Sequence, residues 1–166
     1  MEPVRTERAF DGRYLLVDVE EWANPDRRRE VVRHPGAAAV VARDPAGDVI
    51  LVRQVREALR ERLLEIPAGV FDQEGESAED TARRELLEET GFRALAVEPL
   101  GTIVTSPGFS DERIELFLAS AEPVGDPEEG LQVVTLPFEE AVAAVDRGEI
   151  TDAKTIAGLL LAARRG

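Results

Sequence analysis

Short apolar runs, set close together, mark the first half of the chain. Residues 14–22 (YLLVDVEEW) and 29–33 alternate, whereas 37–42 (AAAVVA) and 49–55 (VILVRQV) are more continuous. Short runs rich in β-branched and aromatic residues, bounded by Pro, Gly, Asn and Asp, predict strands. The bounding turns are NPD at 24–26, HPG at 34–36 and DPAGD at 44–48. Ala39, Val40 and Val41 form an unbroken apolar stretch, the pattern of a strand covered on both faces.

The pattern then changes period. LLEIPAG at 63–69 predicts a strand ending at Pro67 and Gly69, followed by the loop VFDQEGE. Ser77, with Asp80 three positions on, has the form of a capping box. Gly91 suits the left-handed position just beyond a helix end, so a helix is predicted over 78–90. Strands are expected at 96–105 and 113–119 around a polar loop, SPGFSDE, and at 131–136. Pro137 suits the first turn of a helix over 138–147, and a last helix covers 152–164. This order predicts an α+β fold, a mixed sheet with helices on its faces. Residues 1–36 read as an N-terminal β segment, suited to a small sheet or a dimer contact, and 37–166 as the main domain.

Composition narrows the function. The 166 residues are 43% hydrophobic, enough for a real core and too much for a disordered chain. No apolar run reaches the roughly 18 residues of a membrane span, and MEPVRTERAF lacks the apolar stretch of a secretory signal. Cysteine is absent, which excludes disulfides, thiolate chemistry and cysteine zinc sites. A cytoplasmic protein is the simplest expectation. The formal net charge of −14 argues against a nucleic-acid-binding surface. Small phosphate ligands remain open, because bound cations invert local charge.

Within this acidic chain, RELLEETG at 84–91 places Glu85, Glu88 and Glu89 on one helix. Like charges three and four apart cost about 0.2–0.5 kcal/mol per pair. On a wheel, Ala78, Ala82, Leu86 and Thr90 form a stripe, and the three glutamates border it. Carboxylates at this spacing can converge on a hard cation such as Mg2+ or Mn2+. The alternative from spacing alone is a surface helix salt-bridged by Arg83 and Arg84.

The wider pattern resembles the signature box of the Nudix hydrolases, G-x5-E-x7-R-E-U-x-E-E-x-G-U. Gly69, Glu76, Arg84, Glu85, Leu86, Glu88, Glu89, Gly91 and Phe92 occupy its positions. Two departures stand out: six residues rather than five separate Gly69 from Glu76, and Phe92 is aromatic at the final position. The resemblance implies an α/β/α sandwich that cleaves a diphosphate linked to another moiety. It implies Glu85 and Glu89 as metal ligands, often with Glu88 and the backbone carbonyl of Ala68. Glu76 and Arg84 would support the helix and loop through a salt bridge.

Within that family the chain is most similar to the ADP-ribose pyrophosphatases, through LEIPAG at 64–69, SPGFSDE at 106–112 and the segment from Arg147 to Ala162. Pro107 lies sixteen positions after Gly91, near the spacing of a proline in that branch. Before Ala37 the similarity is looser. The reaction implied is ADP-ribose plus water giving AMP and ribose 5-phosphate. A broader nucleoside diphosphate sugar pyrophosphatase and a non-hydrolytic Nudix-fold ligand-binding regulator are the alternatives. Arg53 and Arg56 could fork onto phosphate or ribose, or be ordinary surface arginines. Ser106, Gly108, Phe109 and Glu112 belong to a loop suited to binding. Phe109 could stack on adenine or anchor its loop. In the resembled enzymes the general base often comes from a late acidic loop. Here that loop is GDPEEGL at 125–131, with Glu129 the first choice, Glu128 the second and Glu88 a fallback. The single histidine, His34, has no triad partners nearby and reads as structural. Resembled enzymes are mostly homodimers, and the apolar stretch before Ala37 is compatible with such a contact.

Overall fold

The computed structural model describes residues 2–13, 15–24 and 27–165. Tyr14, first in the predicted strand 14–22, and Pro25 and Asp26 of the NPD turn lie outside them. The chain divides into two compact units, Met1–Gly36 with Val104–Arg113, and Ala37–Ile103 with Ile114–Gly166.

The first unit is an antiparallel sheet of β1 (Arg5–Asp11), β2 (Leu16–Glu21) and β3 (Arg28–Arg33), in that order. Every residue of β1 is exposed, so no burial pattern announced it, and the sequence reading lacks it. Its ladder to β2 and the bond from Arg8 Nε to Asp18 hold it. Asp18 and Glu20 are buried on β2, and the Arg33 guanidinium donates to both. Loop 104–113 joins this sheet: Val32 N donates to Phe109 O at 2.7 Å and Asp111 N to Val32 O at 3.2 Å.

The second unit is built on a seven-stranded mixed sheet. Its main path runs β10 (Gln132–Leu136), β5 (Val49–Arg56), β4 (Ala37–Arg43), β9 (Arg113–Pro123), β8 (Phe92–Val104). Short strands β6 (Glu61–Glu65) and β7 (Ala68–Val70) pair with β5 and β4. The β4–β9 pair is parallel, and β4 and β5 pair antiparallel with each other and with β6, β7 and β10.

Strand β4 explains the layering. Its side chains alternate between two faces, and both are buried. Ala37, Ala39 and Val41 pack with Leu51, Ala141, Ala144, Leu159 and Ala162, the side of α2 (Phe138–Asp146) and α3 (Ala153–Ala163). Ala38, Val40 and Ala42 pack with Ile50, Ala82 and Leu86, the side of α1 (Ala78–Thr90). Small residues let the layers approach. A Cβ on Gly158 would lie 2.9 Å from Val41 Cγ2 and 3.1 Å from Ile66 Cδ1.

Several boundaries differ from the sequence expectation; β9, for one, runs to Pro123 rather than 119. The single strand expected over 63–69 is two strands, because Pro67 has no N–H for a ladder; its carbonyl instead accepts from Val40 N at 3.0 Å. Strand β8 begins at Phe92, directly after α1, rather than at 96. Much of β8 is exposed and it contains Pro99 and Gly101, so its pairing rather than its composition defines it.

Candidate active site

Helix α1 carries the acidic cluster, and both its ends are locally specified. Ser77 Oγ accepts from Asp80 N at 3.1 Å, and the Asp80 carboxylate accepts from Ser77 N, a complete capping box. At the other end Gly91 adopts φ 73°, and its N–H donates to Leu87 O at 2.8 Å. A side chain there would also collide with the next loop, since a Cβ would sit 2.3 Å from Gly125 O. The Gly91 carbonyl accepts from Val124 N and Gly125 N, and the Glu88 carbonyl accepts from Glu128 N at 2.9 Å. The acidic loop 125–131 is thereby tied to the C-terminal turn of α1.

The three glutamates of the helix have different surroundings. Glu89 is buried, 8% exposed, and Oε2 accepts from Ala68 N at 3.1 Å. It has no ion-pair partner among the described residues. Burial pushes its carboxyl up to about 7, against the opposing pull of the Ala68 N–H. Burial also raises the Glu85 carboxyl, with Arg84 acting the other way. Glu85 rests against Gly69, where a Cβ would lie 2.0 Å from its Cδ. The Gly69 position therefore leaves room that any other residue would fill. Glu88 is exposed, further from the buried stripe than the helical wheel suggested.

Arg84 forms the hub of this cluster. Its Nε donates to Glu76 Oε1 at 3.0 Å, and Nη1 donates to Glu85 Oε1 at 2.6 Å and Glu88 Oε2 at 3.0 Å. Nη2 reaches Asp72 at 3.3 Å, a partner the sequence did not suggest. The Arg84 guanidinium holds the Glu76 carboxyl below its usual range, with help from Thr81 Oγ1 at 2.9 Å. Glu76 and Arg84 thus fasten loop 70–77 to α1.

The donor chemistry suits a divalent cation. Carboxylate and carbonyl oxygens are hard ligands for Mg2+ or Mn2+. Two carboxylates raised by burial, one without a cationic partner, have a repulsion that such an ion would relieve. Among the described residues no three His, Cys, Asp or Glu are already gathered as a metal cluster. Arg84 lies between Glu85 and Glu88 instead.

The remaining sequence candidates fall in several places. Arg53 sits mid-strand in β5, opposite Gln132, and its side chain makes no hydrogen bond or ion pair among the described residues. Arg56, at the end of β5, is engaged by Glu65: Nε to Oε1 at 2.7 Å and Nη2 to Oε2 at 2.5 Å. Glu128 and Glu129 are exposed in loop 125–131. Ser106, Gly108, Phe109 and Glu112 belong to the first unit. There Phe109 is 58% exposed, so it does not anchor its loop by burial. Glu112 accepts from Thr105 Oγ1 at 2.5 Å and lies 3.5 Å from His34 Nε2. His34 Nδ1 accepts from Gly36 N, a local structural role.

Glu65 and Lys154 were absent from the sequence candidates. Glu65 is fully buried, and Lys154 Nζ donates to it. The signal that could have found them was a lone charge inside the apolar LLEIP and a single lysine in a chain rich in arginine.

A family model described as NUDIX domain matches residues 32–159. The chain is 38% identical to the ADP-ribose pyrophosphatase of Bacillus subtilis (strain 168), covering 92% of this chain and 86% of that protein. It is 37% identical to a methanol dehydrogenase activator of Bacillus methanolicus, covering 92% and 87%. The fold matches a solved structure titled as an ADP compounds hydrolase, with a TM-score of 0.79 and 24% identity, over 99% of this chain and 94% of that one.

Proposed function

The chain belongs to the NUDIX domain family, and from that premise we propose that it hydrolyses the diphosphate of ADP-ribose to AMP and ribose 5-phosphate, using Mg2+ or Mn2+. The observation that carries the reading is the Glu85–Glu89 pair, held against the Ala68–Gly69 backbone with both carboxyls raised by burial. The similarity to the Bacillus subtilis ADP-ribose pyrophosphatase, over most of both chains, favours this substrate.

Glu85 and Glu89, with Glu88 and the Ala68 carbonyl, would hold the cation. When bound, such an ion neutralises phosphate oxygens and lowers the pKa of a water. In the reaction a water oxygen bonds to phosphorus and the bridging P–O bond breaks, its electron pair leaving on the departing phosphate. Glu129 takes the proton of the attacking water, with Glu128 and then Glu88 as successors in that role. Arg53 and Arg56 bind phosphate oxygens. Ser106, Gly108 and Glu112 are polar substrate contacts, and exposed Phe109 offers a face to the adenine. Residues 1–36 form a contact between two copies, which sedimentation mass tests directly.

The deciding assay is a product panel: ADP-ribose, ADP-glucose, GDP-mannose, diadenosine polyphosphates and 8-oxo-dGTP, each with and without Mg2+. AMP and ribose 5-phosphate from ADP-ribose, only with the cation, are expected. Comparable cleavage of the other sugars selects the broader nucleoside diphosphate sugar pyrophosphatase. A non-hydrolytic regulator has one finding in its favour, the alignment with the methanol dehydrogenase activator over 92% of the chain. That reading predicts ADP-ribose binding without product.

A further inference from the structure

Lys154 is the only lysine in the sequence, and it is buried in the first turn of α3. Burying an ammonium is costly unless it is paired and hydrogen-bonded. Its Nζ donates to Glu65 Oε2 and, at 3.0 Å, to Asp152 Oδ2. Asp152 is the N-cap of α3, and its Oδ2 also accepts from Thr155 N at 3.0 Å and Thr155 Oγ1 at 2.6 Å. Thr155 Oγ1 in turn accepts from Ile66 N at 2.9 Å. Glu65, the last residue of β6, is therefore tied to this helix end through its side chain, and Ile66 just beyond it through its backbone.

Glu65 passes this constraint to Arg56. It receives the guanidinium along the Nε–Nη2 edge in two parallel bonds, a geometry that sets the plane of the group. The Nη1 edge makes no hydrogen bond among the described residues, and the side chain is 41% exposed. Arg56 also lies near enough to Glu89 to feel its charge. We propose that Lys154 is a positioning residue: through Glu65 it orients Arg56 so that the free Nη1 edge meets a phosphate oxygen of the diphosphate substrate. A lysine suits this place because its compact ammonium can serve the buried Glu65 carboxylate and the half-buried Asp152 carboxylate at once. The inference rests on the diphosphate-hydrolase reading and adds a residue remote from the box to it.

A merely structural counter-ion would affect stability but not act through Arg56. The test is a double-mutant cycle of Lys154→Met and Arg56→Ala, read as the Kd of α,β-methylene ADP-ribose by calorimetry and as KM and kcat for ADP-ribose. Lys154→Met keeps the length of the chain and leaves Glu65 paired with Arg56. Circular dichroism checks its fold, and Lys154→Gln carries the same cycle if it fails. Lys154→Met is expected to raise Kd and KM by roughly fivefold to tenfold with kcat within about twofold. In the Arg56→Ala background the same change adds less than about twofold. Effects that multiply, or a Lys154→Met protein with wild-type Kd, overturn the proposal. A wild-type protein that neither binds the analogue nor cleaves any nucleoside diphosphate sugar overturns the underlying reading instead.

Discussion

Replacing Glu89 by glutamine separates the cost of building the acidic site from its use. Glu89 is 8% exposed, and burial takes its carboxyl from the ordinary 4.5 to about 7. Because the folded value lies above the unfolded one, folding disfavours ionisation. The contribution of the protonated carboxyl is fully present below about pH 4.5 and is lost as pH rises through about 7. A rise of about 2.5, at about 1.4 kcal/mol for each, makes the loss about 3 kcal/mol in metal-free protein at alkaline pH. Glutamine keeps an oxygen for the Ala68 N–H and does not titrate. With chelator present, the variant should melt with the wild type near pH 4 and above it near pH 8.5, by roughly 6–12 °C. Melting curves by circular dichroism across that range make the measurement. Adding Mg2+ should raise the wild type by mass action and the variant far less, while turnover of the variant falls by orders of magnitude. A melting difference that stays flat across pH, or a variant less stable than wild type at alkaline pH without metal, would refute the burial argument.

Three further outcomes follow from the same geometry. Gly69→Ala puts a Cβ 2.0 Å from the Glu85 carboxyl carbon; the Mg2+ needed for half-maximal activity should rise roughly tenfold, with urea stability within about 1 kcal/mol, because a flexible side-chain end can move aside. Gly91→Ala loses the left-handed cap and meets Gly125 O at 2.3 Å; urea unfolding should show a loss of at least about 1–2 kcal/mol, and kcat should drop as loop 125–131 shifts. Glu129→Gln should lower kcat by about 100-fold or more with KM little changed, and an unchanged kcat in steady-state assays would move the base elsewhere.

The parts of this protein legible in its sequence are those set by near neighbours. The Ser77–Asp80 box and Gly91 delimit α1 because caps involve residues three or four apart. The apolar run of β4 announced burial on two faces, which placed it between helices. Strand β1 was illegible because all its side chains face solvent and only its ladder defines it. The break at Pro67 was visible as a residue but not as two strands with different partners. At the site, the box named Glu85, Glu88 and Glu89 together. The wheel put all three beside the core, yet Glu88 is exposed and Glu89 is buried.

What the sequence determined by itself was most of the elements, though not β1 or the division of 63–69, together with the oxygen-rich chemistry of one helix and the family those residues signal. What only the tertiary structure decided was the state of each charge. Glu65 and Lys154 stand 89 positions apart and share one buried bond. Glu89 holds a raised pKa because β7 and α1 shut out water around it. Loop 125–131 sits against α1 because two backbone N–H groups meet the Gly91 carbonyl. Propensity, caps and periodicity act over a few residues of chain, whereas the energy of a charge depends on solvent and partner distance in space, which packing alone sets.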